Sequence, residues 1–170
     1  NPHSWACKVP VELELGQTKE FCLLDDKGHE VAIQKVKSHA TALGRCRMGF
    51  IAELPSMGYR VYRLFKKAST EKFKGIKAND YSIENDRLRL ELDPKTGYIS
   101  SLYDKNKNFE VFREPGAVPI VIEDKSDTWS HDIARYDNEI GKFIVDNMEL
   151  IEHGPVKSTI AVKYSYGSST

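Results

Sequence analysis

Cysteine is too scarce and too scattered to organise this chain. Cys7, Cys22 and Cys46 are odd in number and widely spaced, with no Cys-x-x-Cys pair and no adjacent histidine. That argues against a disulfide framework or a zinc knuckle. The three read as buried or half-buried free thiols in a reducing cytoplasm, and no nearby base marks one of them as a nucleophile. Long apolar runs are missing as well: none approaches the ~20 residues of a membrane helix, and the N-terminus lacks the charged-then-apolar pattern of a signal peptide. Because the chain opens on Asn1 rather than methionine, a removed leader stays open. Neither sign of charge is in surplus, since 25 Lys and Arg balance 25 Asp and Glu. Nothing electrostatic therefore points to nucleic acid, and a partner would have to be chosen by shape. Helical periodicity is absent from Val9 to Phe65.

What the sequence does have is strand rhythm. Val9, Val11, Leu13 and Leu15 alternate with Pro10, Glu12 and Glu14; Phe21 to Leu24 follows the turn Gly16-Gln17-Thr18; and Asp25-Asp26-Lys27-Gly28 turns into Val31, Ile33 and Val36. Arg45 to Glu53 and Tyr59 to Phe65 make two more strands around Leu54-Pro55-Ser56-Met57-Gly58. Five strands at this spacing predict a small antiparallel β-sandwich over residues 1–66. Residues 67–80, rich in lysine and poor in apolar side chains, read as a solvated linker and not as a nucleic-acid patch.

From Tyr81 the pattern restarts. Leu88, Leu90 and Leu92 alternate with Arg87, Arg89 and Glu91, Asp93-Pro94-Lys95-Thr96-Gly97 reverses the chain, and Tyr98 to Tyr103 returns as a second strand. Asp104 to Asn108 turns again, Val118 to Glu123 reads as a buried strand, and Phe143 to Glu152 turns at His153-Gly154-Pro155 into a last strand, Val156 to Tyr166. Residues 81–170 thus predict the N-terminal part of a larger β-sandwich that stops within its domain. The fold class is all-β.

Asp124 to Asn138 carries no strand pattern, and it holds the one constellation with chemical content. Asp127 stands two residues before Trp129, and His131-Asp132 two residues after it. Tryptophan offers a flat apolar face on which a pyranose can stack, while carboxylates accept bonds from sugar hydroxyls. Asp127, Trp129, His131 and Asp132 are therefore the candidate substrate-binding residues. The alternative is that Trp129 plugs the core, Asp127 caps a turn and His131 is solvated. No metal ligands are assigned, because His131 and Asp132 are adjacent and neighbours in a strand face opposite ways. His3, His29, His39 and His153 are scattered beside turn or polar residues and read as unpaired surface histidines.

Asn1-Pro2-His3-Ser4-Trp5, the stretch from Leu54 to Leu64 and the stretch from Ile83 to Lys105 resemble the C-terminal β region of glycoside hydrolase family 38, the α-mannosidases. Asp127 to Asp132 is similar to an Asp-x-Trp segment of bacterial members. The resemblance implies a supersandwich-like, galactose-mutarotase-like second domain. It also implies a parent that is a retaining α-mannosidase, releasing terminal α-linked mannose from oligosaccharides. Its nucleophile, acid partner and zinc ligands would lie in preceding catalytic domains of the same chain, outside these residues. On that reading this chain lines the substrate site and catalyses nothing alone. Its partners would be a mannose-containing oligosaccharide and those domains, not nucleic acid or a membrane, and a homo-oligomer is one way to cover its apolar faces. Two other classes stay open, a free-standing carbohydrate-binding β module and an immunoglobulin-like interaction domain.

Overall fold

The computed structural model describes residues 1–16, 20–37, 44–70 and 72–169. The expected turn residues Gln17 and Thr18, His39, and Glu71 of the lysine-rich stretch lie outside them. Among the described residues every regular element is a strand, and the chain divides into two compact units.

The first unit comprises Asn1–Ile76 with Ile151–Thr159. Its strands are β1 (Cys7–Gly16), β2 (Cys22–Leu24), β3 (Glu30–Val31), β4 (Ile33–Val36), β5 (Arg45–Leu54) and β6 (Arg63–Phe65). They form two three-stranded antiparallel sheets, in the orders β1-β5-β4 and β3-β2-β6. The ten-residue register of β1 on β5 places Val11 opposite Phe50, Leu13 opposite Met48 and Leu15 opposite Cys46. Because strand side chains alternate between faces, this puts one apolar row against the second sheet. Phe21, Cys46 and Met48 pack with Leu15, Ile33 and Leu64, and beside them Leu23, Phe50 and Ala52 pack with Val9, Val11 and Val31. The other face carries Glu12 and Glu14 beside Arg47, with nitrogen–oxygen distances of 3.6 Å.

Two expected strands differ from the sequence reading. Val31 to Val36 is not one strand: the chain breaks at Ala32, so β3 joins one sheet and β4 the other, a corner that passes the chain between layers. Tyr59 to Phe65 shortens to Arg63–Phe65, because a side chain replaces the missing backbone pairing. The Tyr62 hydroxyl accepts from Glu53 N at 2.8 Å and donates to Glu53 O at 3.2 Å, while its ring packs 5.0 Å from that of Phe50.

The segment 151–159 is fixed within this unit by two buried polar residues. Gln34 Oε1 accepts from the N–H groups of Val156 and Lys157 at 3.0 and 2.9 Å, and its Nε2 donates to Lys157 O at 2.9 Å. Glu152 accepts from Lys37 N and from the Thr159 hydroxyl, both at 2.8 Å. Burial pushes the Glu152 carboxyl up, but the Lys37 N–H, the Thr159 hydroxyl and the Lys157 ammonium outweigh it and hold the group below the ordinary glutamate range.

The second unit comprises Lys77–Leu150 with Ile160–Thr170. β7 (Lys77–Asn79), β8 (Ser82–Glu84), β9 (Leu88–Leu92), β10 (Ile99–Asp104) and β11 (Phe109–Glu110) form one antiparallel sheet in the order β11-β10-β9-β8-β7. β7 lies in the stretch read as a linker, and neither it nor β11 has a strand signature. The expected hairpin is present, with Leu102 opposite Leu90 and a bulge between Ile99 and Ser101. Its turn is held by Asp93 Oδ1, which accepts from Lys95 N at 2.7 Å, and Gly97 takes φ +71°. Gly97 has no alternative: its carbonyl accepts the Tyr164 hydroxyl at 2.7 Å, and a Cβ there would sit 2.7 Å from that oxygen.

Beyond it, β12 (Ile120–Ile122) pairs only with β13 (Glu139–Lys142), and β14 (Ile144–Glu152) with β15 (Thr159–Ser165). The buried strand expected at Val118 to Glu123 is not buried. Ile120 is 43% and Ile122 37% exposed, because the two-stranded sheet has no layer over that face among the described residues. Among the described residues Leu92 is the one buried hydrophobic residue of the second unit, against eight in the first.

Candidate functional site

The expected loop runs from Glu123 to Asn138 as the connection between β12 and β13 in the second unit. It is closed at its base, where Glu123 N donates to Asn138 O at 2.9 Å and Asn138 Nδ2 donates to Glu123 Oε2 at 2.9 Å. Within it, Asp127 is the organising acceptor. Its Oδ1 receives Trp129 N at 3.0 Å and His131 N at 3.1 Å, its Oδ2 lies 2.6 Å from His131 Nδ1, and its carbonyl accepts Ser130 N at 3.1 Å. A carboxylate accepting several N–H bonds is favoured in its charged form. The His131 N–H first, with the His131 ring and the Trp129 N–H, holds the Asp127 carboxyl below the ordinary aspartate range against the opposing effect of burial. Two residues of the turn, Ser130 and Asp132, adopt positive φ of 56° and 61°. Aspartate tolerates this conformation better than most side chains.

The turn thus presents Trp129 outward, 79% exposed. Of the alternative reading, the core plug does not describe Trp129, whereas Asp127 does cap a turn and His131 is solvated. The side chain of His131 is 73% and that of Asp127 50% exposed, and Asp132 is exposed. Asp127, Trp129 and His131 are therefore brought together, by hydrogen bonds centred on the first; Asp132 shares the turn. Sequence reasoning missed the far side of the loop. There the Tyr136 hydroxyl donates to Ser130 Oγ at 2.7 Å and lies 3.1 Å from Ser126 Oγ, which donates to Asp124 at 2.5 Å. Nothing in the spacing of Ser126, Ser130 and Tyr136 announces this, since a loop has no period to read.

Hollows lie away from the loop among the described residues. One, about 920 Å³ and within the first unit, is bounded by Gln34, Arg45, Arg47, Glu152 and Lys157. Another, about 580 Å³ and within the second, is bounded mainly by Pro119, Phe143, Ala161, Val162 and Tyr164. Among the described residues no group of three or more His, Cys, Asp and Glu side chains is placed to hold a metal ion. The histidines read as unpaired divide: His3 stacks on Trp5 with centroids 4.6 Å apart, His29 Nδ1 lies 3.5 Å from Asp25 Oδ2, and His153 Nδ1 lies 3.2 Å from Ser158 Oγ. The thiols of Cys7, Cys22 and Cys46 are free, the first half-buried and the others buried. Burial pushes Cys22 up.

The model of the glycosyl hydrolases family 38 C-terminal domain matches residues 83–170. No curated protein matches the chain. Among solved structures it is similar to an alpha-mannosidase from Enterococcus faecalis V583, with a TM-score of 0.53 and 12% identity. That likeness covers 95% of this chain but only 22% of the enterococcal one. At this identity it bears on the fold.

Proposed function

Because the chain belongs to glycosyl hydrolase family 38 through its C-terminal domain, we propose that it serves as the β region of an α-mannosidase, non-catalytic by itself, whose loop Glu123–Asn138 closes one side of the sugar site. The parent would release terminal α-linked mannose from oligosaccharides with retention, through groups borne elsewhere in its chain. Zinc is implied for such a parent. Among the described residues no cluster of ligands is assembled that fits it.

The observation that carries the reading is an aromatic face held out into solvent by a purpose-built turn. An exposed tryptophan costs apolar hydration, and here Asp127 spends its hydrogen bonds on the backbone of Trp129 and His131, keeping the ring out instead of letting it fold inward. A pyranose stacked on that ring would recover the apolar contact, while the neighbouring carboxylates accept its hydroxyls. Three free thiols agree with a reducing cytoplasm as the compartment. The same exposed ring would also suit a free-standing carbohydrate-binding module, and glycan binding by the 170-residue chain in the absence of any larger parent would favour that reading.

The test is Trp129→Ala in the long gene product. Turnover of an α-mannoside should weaken by ~1–3 kcal/mol, the scale of a lost stacking contact, with the thermal midpoint unchanged. The 170-residue chain alone should release no mannose. Undiminished turnover in the variant would remove the loop from the site.

A further inference from the structure

Resting on that reading of the loop, we propose that the Asp127–His131 pair is a hydroxyl-reading contact, in which Asp127 fixes the ring so that His131 Nε2 accepts a hydrogen bond from a hydroxyl of the pyranose stacked on Trp129.

The argument begins with the 2.6 Å separation between His131 Nδ1 and Asp127 Oδ2. An ionised carboxylate has only lone pairs to offer, so a contact this short requires the proton on Nδ1. In the neutral ring the other nitrogen then carries the lone pair, and the pair leaves Nε2 as an acceptor. A free imidazole has no such constraint. Asp127 also fixes where the ring stands, because its Oδ1 accepts the His131 N–H at 3.1 Å; one carboxylate holds both the backbone and the side chain of the same residue. The third bond of that carboxylate, from Trp129 N at 3.0 Å, ties the aromatic residue to the same anchor.

A structural role explains less. A turn needs the backbone bonds, which an asparagine could supply, but it does not need an imidazole. The His131 ring is largely exposed. Among the described residues Lys125 meets Glu123 at 2.8 Å, Arg135 meets Asp137 at 2.5 Å, and Asp124 accepts from Ser126. The His131 ring meets Asp127. A ring held in one orientation, with one tautomer, beside an outward tryptophan, is suited to a ligand that offers a donor hydroxyl next to an apolar face. Hexopyranoses have that amphipathic shape, whereas an ionised carboxylate offers no donor to Nε2.

The experiment is nitrogen-15 NMR of the histidine rings in the 170-residue chain at pH 8, with His131 assigned from the His131→Gln variant and methyl α-mannopyranoside as the probe. The expected result is a protonated Nδ1 and an unprotonated Nε2 at His131, with Nε2 and Trp129 indole fluorescence responding over the same saccharide range. Asp127→Asn should let the tautomers mix and weaken saccharide binding by about five- to tenfold, the effect of one hydrogen bond. Protonation at Nε2 in the unaltered chain overturns the proposal. So does a correct tautomer whose Nε2 signal ignores saccharide while the tryptophan responds, an outcome that leaves the loop in the sugar site and removes only the histidine. If neither signal responds, in this chain or in the long gene product, the inference and the sugar-site reading fall together.

Discussion

A Cβ added at Gly154 would stand 2.4 Å from both Cδ and Oε1 of Gln34, and Gln34 cannot swing aside without abandoning the three backbone groups of Val156 and Lys157 that it satisfies. Gly154→Ala should therefore cost about 2–4 kcal/mol, from overpacking together with unpaired buried amide groups. The urea midpoint of the first unit reads this out, and Gln34→Ala should match it without any clash. Glu152 supplies a second prediction at this scale. Its folded-state carboxyl titrates below the unfolded one, whose ordinary value is 4.5. The stability it contributes is thus complete above that value and is lost as pH falls through the lower, folded one. Between pH 5 and 3 the unaltered chain should lose stability more steeply than Glu152→Gln, which has no proton to take up; parallel curves would show that the carboxylate is not what holds residues 151–159. Neither residue was legible in advance. Gln34 sits in a strand pattern that places it only as a polar neighbour of Ile33, and the polar groups it serves are 122 and 123 residues away.

Elements were legible where local chemistry decides them and obscure where tertiary pairing does. The turn Asp93–Gly97 was readable because proline, an Asx-type acceptor and a glycine each do a local job, and β9 and β10 followed from it. The corner at Ala32 was not, since Val31, Ile33 and Val36 alternate as well across two sheets as along one. β7, β11 and β13 are two to four residues long and take their structure from neighbours. The loop Glu123–Asn138 was visible as a break in rhythm, and its acids and tryptophan as a cluster, but the hydroxyl set of Ser126, Ser130 and Tyr136 was not. Gly97 gives the prediction at this scale. Alanine there meets both a left-handed backbone and the Tyr164 hydroxyl and Val162 Cγ1, 2.7 and 2.8 Å away. Gly28, at φ +85°, has nothing within 4 Å. Gly28→Ala should cost about 1 kcal/mol, the conformational part alone, and Gly97→Ala about 2–4 kcal/mol. Equal losses on denaturant titration would mean that the tyrosine yields.

Across the whole molecule, apolar surface is distributed unequally. The first unit closes its core, whereas the second leaves Ile120, Ile122, Ile140 and Ile144 between 37% and 71% exposed. Exposed apolar side chains of that kind bind hydrophobic dyes and drive association, and a formal net charge of zero removes the repulsion that would oppose it. The 170-residue chain should bind an anilinonaphthalene dye and associate with rising concentration near neutral pH. Threonine at Ile120, Ile122 and Ile144 together should reduce both at least severalfold without changing the stability of the first unit. A dye signal untouched by the three substitutions would place the exposed surface elsewhere. The return of residues 151–159 to the first unit has a consequence for how this polypeptide can be divided. Its two units are not beads on a string. A protease cutting once near Ile76 would leave an N-terminal piece without Val156 beside Gly49 and with Gln34 unanswered, so that product would not be a finished unit. Gene fusion or shuffling at that junction faces the same obstacle. What can be inherited or exchanged as one piece is the whole stretch, because the chain passes between the units three times, after Ile76, Leu150 and Thr159.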